Sequence, residues 1–93
     1  MTDQISKSDF VKIQIQLINS KFLEIHPRYG IRPTRLGAQK VAIYLNNSES
    51  AAHTHQAYID EMMSRSNLNL AQIRLEATVF SLVDMFREGH LND

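Results

Sequence analysis

Both prolines of this chain and one of its three glycines fall within eight residues, His26-Pro-Arg-Tyr-Gly-Ile-Arg-Pro33. Proline locks φ, removes a backbone donor and pushes the residue before it out of helical geometry. Neither a helix nor the inner strand of a sheet runs through such a stretch. The chain therefore has to turn here, with one element before His26 and the rest of the fold after Pro33.

The element before the break offers two patterns. Val11-Lys-Ile-Gln-Ile-Gln-Leu17 alternates apolar and polar, as a half-buried strand does. Val11, Ile15, Ile18, Phe22 and Ile25 recur at steps of four and three, as one face of a helix does. The helical stripe spans the longer stretch, and Ser6 followed by Asp9 has the spacing of an N-cap with an acid in the first turn. The reading is a helix over about 8–25.

Beyond the break, Thr34 can cap a second helix over about 34–46, with Ala38, Val41, Ala42 and Leu45 as a narrow apolar stripe. Gly37 weakens it by up to ~1 kcal/mol relative to alanine. Asn46-Asn47-Ser48 signals a turn, and a third helix over 48–65 follows with Ala52, Ile59, Met62 and Met63 on its apolar face. Glu61 and Arg65 form a well-oriented i,i+4 pair on it. A fourth helix over 69–88 stops at Gly89. Two stripes line it, Leu75, Val79, Leu82 and Phe86 beside Ile73, Ala77, Phe80 and Val83. Their joint arc is wider than one core face requires, so this helix is expected to lie centrally or to serve a second surface. The fold class is all-α: a compact bundle of about four helices in a single domain, 1–93.

At 93 residues without cysteine, the chain has no disulfide framework, thiolate metal site or cysteine nucleophile. So small a core commonly gains stability from a second copy, which makes a homodimer the expected state. No apolar run reaches the roughly 20 residues of a membrane span. Met1-Thr-Asp-Gln-Ile-Ser6 lacks the order of a signal peptide, so the expected location is cytoplasmic.

Ten basic and ten acidic residues balance overall, yet no acid lies between Glu24 and Glu49, where Arg28, Arg32, Arg35 and Lys40 fall. Arginine forks onto carboxylate or phosphate, tyrosine stacks on a base or fills an interface, and a helix start adds a favourable dipole. Arg28, Tyr29, Arg32, Arg35 and Lys40 are thus the candidate contacts for a partner or an anion. Four like charges fall short of the block of about five or six that marks a charged tail or patch. Arg35 and Lys40 also lie about 140° apart around a helix.

Other chemistry finds little support. His53 and His55 point about 160° apart on a helix, and no HExxH pattern accompanies them or His26 and His90. No G-x-S-x-G elbow, phosphate loop or dinucleotide fingerprint occurs, and the adjacent carboxylates Asp60 and Glu61 diverge. The expectation is a chain that is not an enzyme and carries no cofactor or metal. Tyr58, Met62 and Met63 on the third helix fit core packing or an adaptable contact surface.

The reading that follows is a small non-catalytic regulator or inhibitor that docks on a larger protein. The alternative is a nucleic-acid-binding regulator using 28–40. A helix-turn-helix would read DNA with 49–65, where Glu49 puts the wrong sign at the phosphates. A ribbon-helix-helix would present Lys12, Gln14 and Gln16 from a strand at Val11–Leu17.

Overall fold

The computed structural model describes residues 5–91. Residues 1–4, which open the stretch read for a signal peptide, and residues 92–93 lie outside the described part. The element order is α1 (Lys7–Asn19), β1 (Leu23–His26), β2 (Gly30–Pro33), α2 (Arg35–Asn47), α3 (Glu49–Arg65) and α4 (Leu70–Arg87). The fold is mostly helical, with one small antiparallel hairpin that the all-α reading missed. Its radius of gyration is 12.8 Å, close to the ~12 Å of a compact domain this long.

Three of the four helices run where the sequence puts them, because their caps are legible. Thr34, Ser48 and Asn69 accept hydrogen bonds from the amides of Gly37, Ala51 and Gln72, the third residue of each helix. Each side chain thereby satisfies an amide that the first turn leaves without an intrahelical partner. At the other end of α4, Gly89 takes a left-handed φ of 78°. Its amide and that of His90 then bond back to Phe86 and Met85. Glu61 and Arg65 form the expected exposed ion pair at 2.7 Å.

The first helix is a correction. It opens at Ser6 as expected, with Asp9 N–H donating to Ser6 Oγ, but it ends at Asn19 rather than near Ile25. Lys21 is the cause: its φ of 71° is the single positive value at a non-glycine residue among the described residues. The reversal lets the amides of Lys21 and Phe22 bond back to Ile18 and Leu17, closing the helix without glycine. Val11–Leu17 is nevertheless helical, so the strand alternative is not adopted. The buried side of α1 carries Phe10, Ile13 and Leu17, while Val11 and Ile15 of the expected stripe face solvent.

After the reversal, Leu23-Glu-Ile-His26 pairs with Gly30-Ile-Arg-Pro33 in the register Leu23↔Pro33, Glu24↔Arg32, Ile25↔Ile31 and His26↔Gly30. Pro27 opens the turn and Gly30, at φ 81°, closes it. The amides of Arg28 and Tyr29 both donate to His26 Nδ1, so the imidazole acts as the acceptor inside its own turn. Thr34 N–H donates to Phe22 O and Thr34 Oγ1 donates to Lys21 O, which fastens the base of the hairpin.

The main core gathers Leu17, Leu23, Val41, Val79, Leu82, Val83 and Met85, and a smaller cluster holds Ile59, Ile73 and Ala77. Helix α4 supplies most of both and touches the other three helices and β2, which is the central position that its wide apolar arc suggested. Helix α2 buries Gly37 and Val41, with Tyr44 and Leu45 half-buried. Ala38 and Ala42, assigned to its stripe, are exposed instead. Gly37 permits this packing: a Cβ there would overlap the carbonyl oxygen of Phe22 and lie 3.2 Å from Leu82 Cδ1. No described helix is long and apolar enough to cross a membrane.

Candidate functional site

The hairpin carries Arg28, Tyr29 and Arg32 of the acid-free window, and α2 carries Arg35 and Lys40. Tyr29 sits at its tip and is 64% exposed. One ring partner is His26, with centroids 4.8 Å apart, and the Arg32 guanidinium lies 5.4 Å from the centre of the Tyr29 ring. A guanidinium over an aromatic face gains from the negative π surface and holds the tyrosine in place. Arg28, in the turn, is exposed, and Arg32 stands across from Glu24 in the strand register.

Beside this tip the chain leaves a shallow hollow of about 380 Å³, lined by Tyr29, Ile31 and Arg32 from the hairpin and by Asn69, Gln72, Leu75 and Glu76 from the start of α4. Three apolar or aromatic side chains and one arginine thus converge from two elements 36 or more residues apart in sequence. Glu76, at the inner rim, accepts a hydrogen bond from Tyr58 OH at 3.4 Å.

The remaining candidates separate. Arg35 opens α2 and is exposed, next to the capping Thr34. Lys40 is half-buried and lines a different concavity, a groove of about 710 Å³ between α2, α3 and α4. Tyr29, Arg32 and Lys40 therefore do not share one hollow. The five residues fall in three places, Arg28, Tyr29 and Arg32 on the hairpin, Arg35 at the start of α2 and Lys40 in the interhelical groove. The separation of Arg35 and Lys40 around their helix already pointed to part of this.

The groove brings His55, Tyr58 and His90, weighed above for other roles, together with Tyr44, Ser81 and Glu88, which the sequence reading did not single out. His55 Nδ1 and Ser81 Oγ share a hydrogen bond of 2.8 Å that ties α3 to α4. Burial lowers the His55 pKa from its ordinary 6.5, so the neutral imidazole is favoured. Tyr44 is pushed up, first by burial and then by the nearby charge of Glu88, to which its hydroxyl donates at 3.2 Å. Tyr58 is raised for the same reasons, with Glu76 as the neighbour. Tyr44 also stacks against His90, with centroids 5.0 Å apart, and His90 Nε2 lies 3.3 Å from Glu88. Phe80 bridges Phe10 at 5.2 Å and Tyr58 at 5.0 Å, linking α1, α4 and α3 through three rings.

A signal for Ser81 was present. It lies one turn after Ala77 and one before Met85, a hydroxyl placed inside the apolar arc of α4. A buried hydroxyl in that position needs a polar partner. No comparable signal marks Leu75 as a surface residue, because it belongs to a regular apolar stripe. Ile31 stands alone in the Pro-flanked break, with no pattern to assign its face. His53, two residues from His55, is exposed. Among the described residues no group of three or more His, Cys, Asp or Glu side chains could hold a metal ion.

No protein-family model, curated protein or solved structure matches this chain. Residue roles consequently rest on the geometry alone.

Proposed function

We propose that the protein is a small non-catalytic docking module that recognises a larger protein through the hollow between the hairpin tip and the start of α4. The carrying observation is the convergence of Tyr29, Ile31 and Leu75 around that hollow with Arg32 at its edge. Exposed apolar and aromatic side chains with an arginine at their edge have the composition of an interface core, in which tyrosine and arginine are enriched. The partner that fits presents an apolar side chain with a carboxylate on the hairpin side, where Arg32 would meet it, and none on the side of Glu76. Regulation or inhibition of that partner, cytoplasmic action and a homo-oligomeric state belong to the same proposal.

Catalysis has a weaker footing. Ser81 is 8% exposed and lies within α4, and its bond to His55 is made through Nδ1. The pair reads as a polar lock between two helices, not as an activated nucleophile in an open site.

The nucleic-acid alternative draws support from the Arg32–Tyr29 stack, since arginine and aromatic rings are the usual platform for single-stranded bases. Its reach is limited by the placement of Lys40 in the other concavity. The ribbon-helix-helix variant lacks its ribbon, because Val11–Leu17 lies in α1.

Affinity capture with the full chain, before and after nuclease treatment, tests the proposal when run beside two variants. A stoichiometric protein that resists nuclease and is retained at least about tenfold less by Leu75→Asp supports it. Binding to single-stranded oligonucleotides that falls steeply with salt, survives Leu75→Asp and disappears in Arg28→Glu/Arg32→Glu would replace it with the nucleic-acid reading.

A further inference from the structure

The hairpin has a second edge, on β1, away from the α4 hollow. Thr34 N–H donates to Phe22 O, which makes 22/34 a bonded pair. Bonded and non-bonded pairs alternate along an antiparallel ladder. With the register Leu23↔Pro33 to His26↔Gly30, the bonded pairs are then 24/32 and 26/30. Pro33 falls on a non-bonded pair, the position at which its missing N–H costs nothing. Leu23 and Ile25 consequently turn their amide and carbonyl groups away from β2. Leu23 is buried against the core, whereas Ile25 is 68% exposed, the highest value among the large apolar side chains of the described residues. Among the described residues this edge is covered at Leu23 and open at Ile25, and an isoleucine in solvent on the edge of a two-stranded sheet marks it as unfinished.

We infer that β1 pairs antiparallel with β1 of a second copy of this chain, about a dyad at Ile25, to give a four-stranded sheet. Self-complementarity decides the occupant. Antiparallel pairing centred on Ile25 sets Glu24 of one copy across from His26 of the other, and the reverse, so an acid meets an imidazole on both sides of the dyad. The two Ile25 residues exchange their outward N–H and C=O groups, and their side chains meet on the face that already carries Ile31. On the opposite face the order is Arg32, Glu24, then the other copy's histidine, so each carboxylate lies between a guanidinium and an imidazole. An isologous contact of this kind closes at two chains, with a β2 strand at each outer edge. The strand is four residues long, so the contact is small and the dimer exchanges with monomer. It does not depend on the docking proposal, whose hollow lies on the β2 side.

The absence of cysteine makes the register directly readable. Paired residues in a bonded antiparallel position have Cα atoms about 5.5 Å apart, within disulfide range. Under mild oxidation Ile25→Cys should form a disulfide-linked dimer at least about tenfold faster than Glu24→Cys, whose symmetry mate lies off the dyad. Sedimentation of the unmodified chain should show its mass rising from 10.7 kDa toward twice that value as concentration approaches roughly 100 μM. Ile25→Lys should hold the mass at one chain with the helical circular dichroism unchanged. A single-chain mass at every concentration overturns the inference, as does a dimer that Ile25→Lys leaves intact or equal cross-linking of the two cysteine variants. If an extended foreign peptide bound to the edge of a chain that never dimerises, that too would count against self-pairing.

Discussion

Gly37 illustrates how one residue can serve two purposes. In the sequence it is a weak point in a helix, and in the structure it is the place where α2 meets the carbonyl of Phe22. Gly37→Ala gains helix propensity but drives a methyl into a backbone oxygen that cannot retreat, because Thr34 N–H is bonded to it. Overpacking of this kind should outweigh the propensity gain and lower stability by about 2–3 kcal/mol, read as a lower urea midpoint. Lys21 is the converse case. Its left-handed φ of 71° suits glycine, so Lys21→Gly should raise stability by about 0.5–1 kcal/mol in the same assay. His55 supplies a pH dependence. Its folded pKa lies below the ordinary 6.5, so the unfolded chain takes up the proton first on acidification. Stability from this group is complete above 6.5 and is lost as pH falls through that value toward the folded pKa. Thermal melts at pH 7.5 and 5.5 should show a smaller acid-induced drop for His55→Gln than for the parent chain.

At the scale of elements, capping chemistry is what made the chain legible. Thr34, Ser48, Asn69 and Gly89 announce their helix ends locally, and α2, α3 and α4 begin and end where those residues say. The end of α1 carries no such signal, because a lysine occupies the left-handed position that glycine or asparagine usually marks. Phe22 and Ile25 then continue a helical spacing by coincidence, which draws Ile25 and the strand it belongs to into the expected helix. The hairpin's own cues were present in Leu23-Glu-Ile-His26, whose alternation is that of a strand, and in Pro27 and Gly30 at the two ends of the turn. Of the candidate site, the segment 28–32 was legible from charge, but its α4 wall was not. Leu75 and Gln72 reach the hollow only because β2 packs on α4, a contact that no local pattern encodes. His26 tests the turn itself: His26→Ala removes the acceptor for two amides and should destabilise the chain by about 1 kcal/mol. The amides of Arg28 and Tyr29 should then exchange with deuterium faster than those of α4.

Over the whole molecule, the described residues place α4 at the centre and set two concavities on its flanks, with the hairpin standing over one of them. The base of that hairpin is closed twice by Thr34, through its amide to Phe22 and its hydroxyl to Lys21. The tip can therefore be severed without releasing either strand. Trypsin acting after exposed Arg28 should leave pieces 1–28 and 29–93 that migrate together under native conditions and separate only in denaturant. A chain that survives such a cut is held together by its two pieces, and a break between Arg28 and Tyr29 would turn this hairpin into a handle for split reporters.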